Sequence, residues 1–151
     1  MEIIYHCFGG SHSSVTAAAI HLEMLPTHRI PTREELMALP YFDKTTDNDF
    51  GLIKLMGVDG YGNRVYVLGK RSLGDRFSRV LKGVAELMGV ERELLVVNTM
   101  IYVNWVMMLG GYVSRRIGLP MFGRPVVCYG TRKAFLDLVG LVKTVKVKAA
   151  H

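Results

Sequence analysis

Apolar residues recur along the chain in two rhythms, and their alternation predicts the elements. Glu2-Ile3-Ile4-Tyr5-His6-Cys7 is a short run of strand-forming residues, followed by Phe8-Gly9-Gly10 and the hydroxyl-rich Ser11-His12-Ser13-Ser14. Those hydroxyls suit a helix start. Val15, Ala18, Ala19 and Leu22 then keep helical spacing as far as Leu25, where Pro26 halts the helix. Thr32, with Glu35 three positions later, predicts a capping box and a short helix running from Arg33 towards Leu39, which Pro40 stops. Residues 41–51 are polar, contain Asp43, Asp47 and Asp49, and read as a surface loop.

Apolar runs at 52–58 and 64–68 flank Asp59-Gly60-Tyr61-Gly62-Asn63, whose glycines supply the positive-φ positions of a tight reversal, so a β-hairpin is expected. Next, Leu73, Phe77, Val80, Leu81, Val84, Leu87 and Met88 form a helical stripe, expected to be core contact and to end at Gly89. A buried strand at 94–98, a helix at 104–117, a strand at 125–129 and a last helix capped by Thr131 complete the pattern. Strands alternate with helices, and three strands are uniformly apolar. This predicts an α/β three-layer sandwich with a mostly parallel sheet and one β-hairpin. No repeat or linker divides residues 1–151, so a single domain is expected.

Composition narrows the classes. Half of the 151 residues are hydrophobic and only two are cysteines, which excludes a disordered chain and a disulfide scaffold and suits a reducing cytoplasm. A chain of this length buries about 68–70% of its unfolded surface, enough for a core without metal or disulfide. Lys and Arg number 19 against 13 Asp and Glu, a formal charge of +6. The basic residues are dispersed except for Lys143, Lys146 and Lys148, so no dedicated nucleic-acid binding is expected. Met1-Glu2-Ile3 does not resemble a secretion leader. Residues 94–113 carry no charge, but Asn98, Thr99, Asn104 and Gly110-Gly111 divide them into a strand and a helix, so no membrane span is expected.

Ligands of open α/β sheets bind beyond the carboxyl ends of the strands, which singles out three segments: Cys7 to Ser14, Asn98-Thr99, and Gly130-Thr131-Arg132. In the first, Gly9 and Gly10 let backbone amides turn toward a ligand, and Ser11, Ser13 and Ser14 add hydroxyls at a helix amino end, a setting that favours an anion. This β-loop-α unit is P-loop-like. As a Walker A loop it is degenerate, because His6 stands at the first glycine position and no lysine follows; no aspartate ends a later apolar strand to hold magnesium. ATP hydrolysis is therefore not expected, whereas a phosphate-bearing or nucleotide-like ligand is.

Cys7 at a helix amino end has the setting of a low-pKa thiol, and a phosphate cradle around it would resemble tyrosine-phosphatase chemistry. Those enzymes carry Cys-x5-Arg; here the sixth residue after Cys7 is Ser13. The plainer alternative is that Cys7 is a small buried hydrophobe. His12 is placed to contact an anion or act as acid or base, or else merely to open a solvated helix. His6, His12 and His21 do not make a metal site by spacing, since His12 and His21 lie on different helix faces. Arg132 would complete an oxyanion site if its loop neighbours the first, and Asn98 and Thr99 would face the ligand or pin a loop.

The segments Ile3 to Val15 (IIYHCFGGSHSSV), Ala17 to Leu22, Arg29-Ile30-Pro31, Leu39-Pro40-Tyr41-Phe42-Asp43 and Tyr66-Val67-Leu68-Gly69 together resemble a family of small Firmicutes proteins grouped as a domain of unknown function, number 3189. The resemblance covers nearly the whole chain. It implies a bacterial, cytoplasmic setting and carries no activity. Three function classes follow from the residues: binding of a small anionic ligand at Gly9, Gly10, Ser11, His12, Ser13 and Ser14; thiol-dependent phosphoryl or acyl transfer by Cys7 with His12; or a non-catalytic interaction protein that associates with a partner or itself.

Overall fold

The computed structural model of the chain describes residues 1–150. A central strand, β1 (Glu2–Cys7), runs parallel to β3 (Arg64–Gly69) on one side and to β4 (Leu94–Asn98) on the other. The strand β2 (Lys54–Val58) pairs antiparallel with β3, giving the order β2-β3-β1-β4 in one open, mostly parallel sheet. The expected hairpin joins β2 and β3. Its reversal is closed by the Asp59 amide on the Asn63 carbonyl at 2.9 Å, with Gly62 at φ 83°.

Side chains of β1 alternate between two helices. Tyr5 meets His21 of α1 (Ser13–His21), whereas His6 meets Phe77 and Ser78 of α3 (Gly74–Leu87). Every residue of α1 is buried, because α6 (Phe135–Ala149) packs on the side away from the sheet and contributes Phe135, Leu138 and Val142 to the core. The capping box predicted at Thr32 is present and opens α2 (Arg33–Ala38). Residues 94–113 divide as expected: β4 is followed by α4 (Trp105–Gly111), capped by the Asn104 side chain accepting from the Met107 amide at 2.9 Å. Among the described residues no helix is long and apolar enough to cross a membrane.

Three expectations are corrected. Residues 125–129 are not a strand; they lie inside α5 (Pro120–Lys133), which pairs antiparallel with α4. Thr131 is accordingly no cap, and its hydroxyl donates within α5 to the Val127 carbonyl. The α3 stripe is not a sealed core contact: Phe77 and Leu81 are half-buried, but Val80, Val84, Leu87 and Met88 are exposed. Only Ala85 of that helix is buried among its described side chains.

A buried relay ties the hairpin to α1. The Tyr5 hydroxyl is 2.8 Å from His21 Nδ1, and His21 Nε2 is 3.0 Å from Asp59. Burial pushes the Asp59 carboxyl up, but bonds from Asn63, His21 and the Tyr61 amide outweigh it and hold the group at about 2. An ionised carboxylate only accepts, so His21 donates from Nε2 and its Nδ1 accepts a hydrogen bond from the Tyr5 hydroxyl. Burial likewise keeps His21 and His12 below the usual imidazole value. Both histidines therefore fold neutral, and the unfolded chain takes up their protons first as pH falls through about 6.5. Thermal melts are expected to show stability declining from pH 7 to 5. A further loss of about 2 kcal/mol follows below pH 4 as Asp59 titrates. An unchanged Tm between pH 7 and 5 would contradict neutral, buried imidazoles.

Candidate functional site

Because β1, β3 and β4 are parallel, their carboxyl ends share one edge of the sheet, and a cavity of about 880 Å³ opens there. Its walls come from five segments: the loop after β1, the turn after β3, the 43–50 segment, Met100 and Val103 after β4, and α4 with the π-helical turn Tyr112–Arg116 that follows it. The extra residue in a π turn re-aims side chains, and such turns recur at functional sites. Here Ser114 is turned toward Asp43 and Arg115 toward Gly9 in the loop after β1.

Gly10 has φ 61°, and a Cβ there would lie 2.4 Å from the Gly69 amide nitrogen, so only glycine allows the loop to cross the end of β3. The crossing brings the Gly10 N–H to Cys7 Sγ at 3.1 Å. The helix-start hydroxyls do not cap α1, whose N-cap is His12 with no side-chain cap bond. The Ser14 hydroxyl instead lies 3.2 Å from Cys7 Sγ. That of Ser13 lies 2.9 Å from Thr99 Oγ1; Thr99 spends its own proton on the His6 carbonyl, so Ser13 is the donor. The sulfur thus takes the place of a cap at the amino end of α1. Burial pushes the Cys7 thiol up, but the hydroxyl and amide of Ser14 and the amide of Ser11 outweigh it and lower its pKa.

On the wall of the same cavity, His12 Nε2 lies 3.0 Å from Asp43. Asp43 has its backbone in the left-handed region, φ 52°, and is almost fully buried. It also accepts from Ser114 at 2.6 Å and from Arg124 at 3.1 Å. Burial raises the Asp43 carboxyl, and these three bonds more than reverse that. With Asp43 ionised, His12 carries its proton on Nε2 and presents Nδ1 as a lone pair beside Gly111 on the cavity wall. Burial, with Arg115 nearby, keeps that imidazole neutral despite the carboxylate. A carboxylate that fixes tautomer and ring orientation, with the second nitrogen left bare, is the arrangement of an oriented base.

The structure brings Cys7, Gly9, His12 and Ser13 together on the cavity wall. Gly10 and Ser14 stand behind Cys7, and Ser11 is buried with its hydroxyl toward the Tyr41 carbonyl at 3.4 Å. Thr99 pins the loop from β4, and the Asn98 side chain accepts from the Met100 amide at 3.0 Å. Arg132 is not with them: it is exposed in the last turn of α5, a consequence of residues 125–129 being helical. Asp43, Thr45, Ser114 and Arg115 line or brace the site but were not singled out by the sequence. The sequence marks them only weakly: Asp43 follows an aromatic residue, Phe42, and Arg115 is the first charge after the long uncharged run. Among the described residues no group of three or more His, Cys, Asp or Glu is placed to hold a metal.

Among curated proteins and among solved structures, none matches the chain. A family model described as "Protein of unknown function (DUF3189)" matches residues 2–147, nearly its full length, and the chain belongs to that family.

Proposed function

We propose that the loop after β1 is a P-loop-like cradle for a phosphate-bearing anion within a three-layer α/β frame, and that Cys7 is its nucleophile in phosphoryl transfer. The observation that carries this reading is the convergence of the Gly10 amide and the Ser14 hydroxyl on a cavity-lining sulfur. Donors at these positions stabilise a thiolate, which is the reactive form. An acyl group is the weaker fit. The cavity carries Lys44, Arg71, Arg115 and Arg116 against Asp43 and Asp47, a surplus of two positive charges. Such lining favours a dianion.

In the reaction, the thiolate attacks phosphorus, an S–P bond forms and the ester P–O bond breaks, the leaving oxygen taking a proton from solvent. Water then attacks the phosphocysteine while His12 Nδ1 accepts its proton; the S–P bond breaks, inorganic phosphate leaves and the thiolate is restored. His12 afterwards returns the proton to solvent.

The test is iodoacetamide alkylation of Cys7 across pH, together with p-nitrophenyl phosphate turnover. Alkylation is expected to follow a midpoint well under the usual thiol value of about 8.5. Cys7→Ser is expected to abolish both turnover and phosphate trapping on the protein. A midpoint at or above the ordinary thiol value, or turnover that survives Cys7→Ser, removes Cys7 from the chemistry.

A further inference from the structure

The loop of residues 7–14 has no cation of its own: His12 is held neutral, and Ser13 is turned away to Thr99. A positive group reaches it from elsewhere in the chain. The π turn after α4 lays the Arg115 guanidinium on Gly9, where a Cβ would lie 2.3 Å from Nη2. Glycine at position 9 is what admits the guanidinium to this part of the cavity wall, two residues along the chain from the nucleophile.

Arg115 is also unfilled. One hydrogen bond, from Nη1 to Thr45 Oγ1 at 2.6 Å, is the whole of its partnership among the described residues, although a guanidinium has five N–H donors. Its Nε is wholly buried with no partner, a costly state for a charged donor. The other cavity-lining cations are differently placed. Arg116 faces Asp47 at 3.5 Å, Lys44 donates to the Leu39 carbonyl, and Arg71 stacks on Phe50. Of the two cavity-lining carboxylates, Asp47 faces Arg116, and Asp43 is already taken by His12, Ser114 and Arg124.

We infer that Arg115 is the anion clamp of this site, and that its ligand is the dianionic phosphoryl group of a phosphate monoester, gripped by the free edge of the guanidinium opposite the amino end of α1. A planar fork matches two oxygens of a tetrahedral phosphate, and the helix end favours the same charge. The inference rests on the assignment of Cys7 as the thiolate, and adds the residue that selects and orients what the thiolate attacks. Thr45 is then a positioning residue: it accepts from Nη1 while donating to the Gly9 carbonyl at 3.1 Å, tying clamp to loop.

The experiment measures how inorganic phosphate and phenyl phosphate protect Cys7 from iodoacetamide, a neutral reagent, at constant ionic strength. The readout is the ratio of alkylation rates with and without phosphate, so differences in intrinsic thiol reactivity cancel. Protection of the wild-type chain is expected, with the half-protecting concentration rising at least tenfold in Arg115→Ala and less in Arg115→Lys. Should Arg115→Ala fail to fold by circular dichroism, Gly9→Ala keeps the arginine but displaces its guanidinium, and the same rise is expected. An unchanged half-protecting concentration in a folded variant overturns the clamp and leaves the Cys7 assignment standing. Absence of protection in the wild type also overturns it, and the phosphate-free pH profile then decides separately whether Cys7 is a thiolate.

Discussion

Gly123→Ala is expected to cost roughly 3 kcal/mol of stability, whereas Gly140→Ala, equally a glycine-to-alanine change within a helix, is expected to gain up to about 1 kcal/mol. The opposite signs come from what each new methyl meets. At position 123 a Cβ would lie 2.2 Å from the Ser114 amide nitrogen and 2.5 Å from its Cα, so the obstacle is backbone and no rotamer relieves it. At position 140, on α6, nothing lies within 4 Å and only the intrinsic preference of alanine for the helix remains. The same close approach recurs along the α4–α5 pair. A Cβ on Gly110 would lie 2.4 Å from the Val127 amide nitrogen, and one on Gly130 2.7 Å from that of Met107. The two backbones are therefore in contact at three levels, and any added methyl must push the helices apart. The separation would carry Ser114 and Arg115 away from Asp43 and Gly9, so Gly123→Ala should weaken phosphate protection of Cys7 along with stability. Urea unfolding of the two variants measures the contrast; equal effects at 123 and 140 would mean the helices are not packed this closely.

Those glycines also explain where the sequence misleads. Val126-Val127-Cys128-Tyr129 is short, apolar and bounded by Pro125 and Gly130, which is how a strand between turns is written. Its helical state comes from the backbone contact with α4, a tertiary effect that no local pattern carries. Features set locally were legible: the Thr32 capping box, the Asp59 hairpin, β1, and β4 at Leu94–Asn98. The α3 stripe had the right period but met too little of the sheet to be covered, leaving Leu87 and Met88 exposed. The loop bearing Cys7 and His12 was legible as a site because its glycines and hydroxyls are contiguous. Asp43 and Arg115 were not, since each comes from a distant segment. Polarity made the segment around Asp43 look like surface, while the structure buries it beside Phe42 and spends its oxygens on three donors.

Asp43→Asn is expected to lower steady-state turnover by about 10²–10⁴-fold, through the second half of the reaction alone. An amide cannot remain a pure acceptor toward His12, Ser114 and Arg124 at once. Turning its NH2 toward His12 would require Nε2 as an acceptor, moving the ring proton to Nδ1 and abolishing the lone pair that faces the cavity. The thiolate cradle, built from Gly10 and Ser14, does not involve Asp43, so the attack on phosphorus should survive. With p-nitrophenyl phosphate the variant should release one equivalent of nitrophenolate in a burst and then stall with phosphate on Cys7. Arg124→Gln provides the contrast, because its side chain is 40% exposed and can exchange the carboxylate for water, so turnover should change by severalfold at most. Loss of burst and steady state together in a folded Asp43→Asn variant, or turnover near that of the wild type, would show that the Asp43–His12 pair is not the base for hydrolysis. A burst followed by arrest would place the pair at the water-activating step and separate its role from that of Cys7.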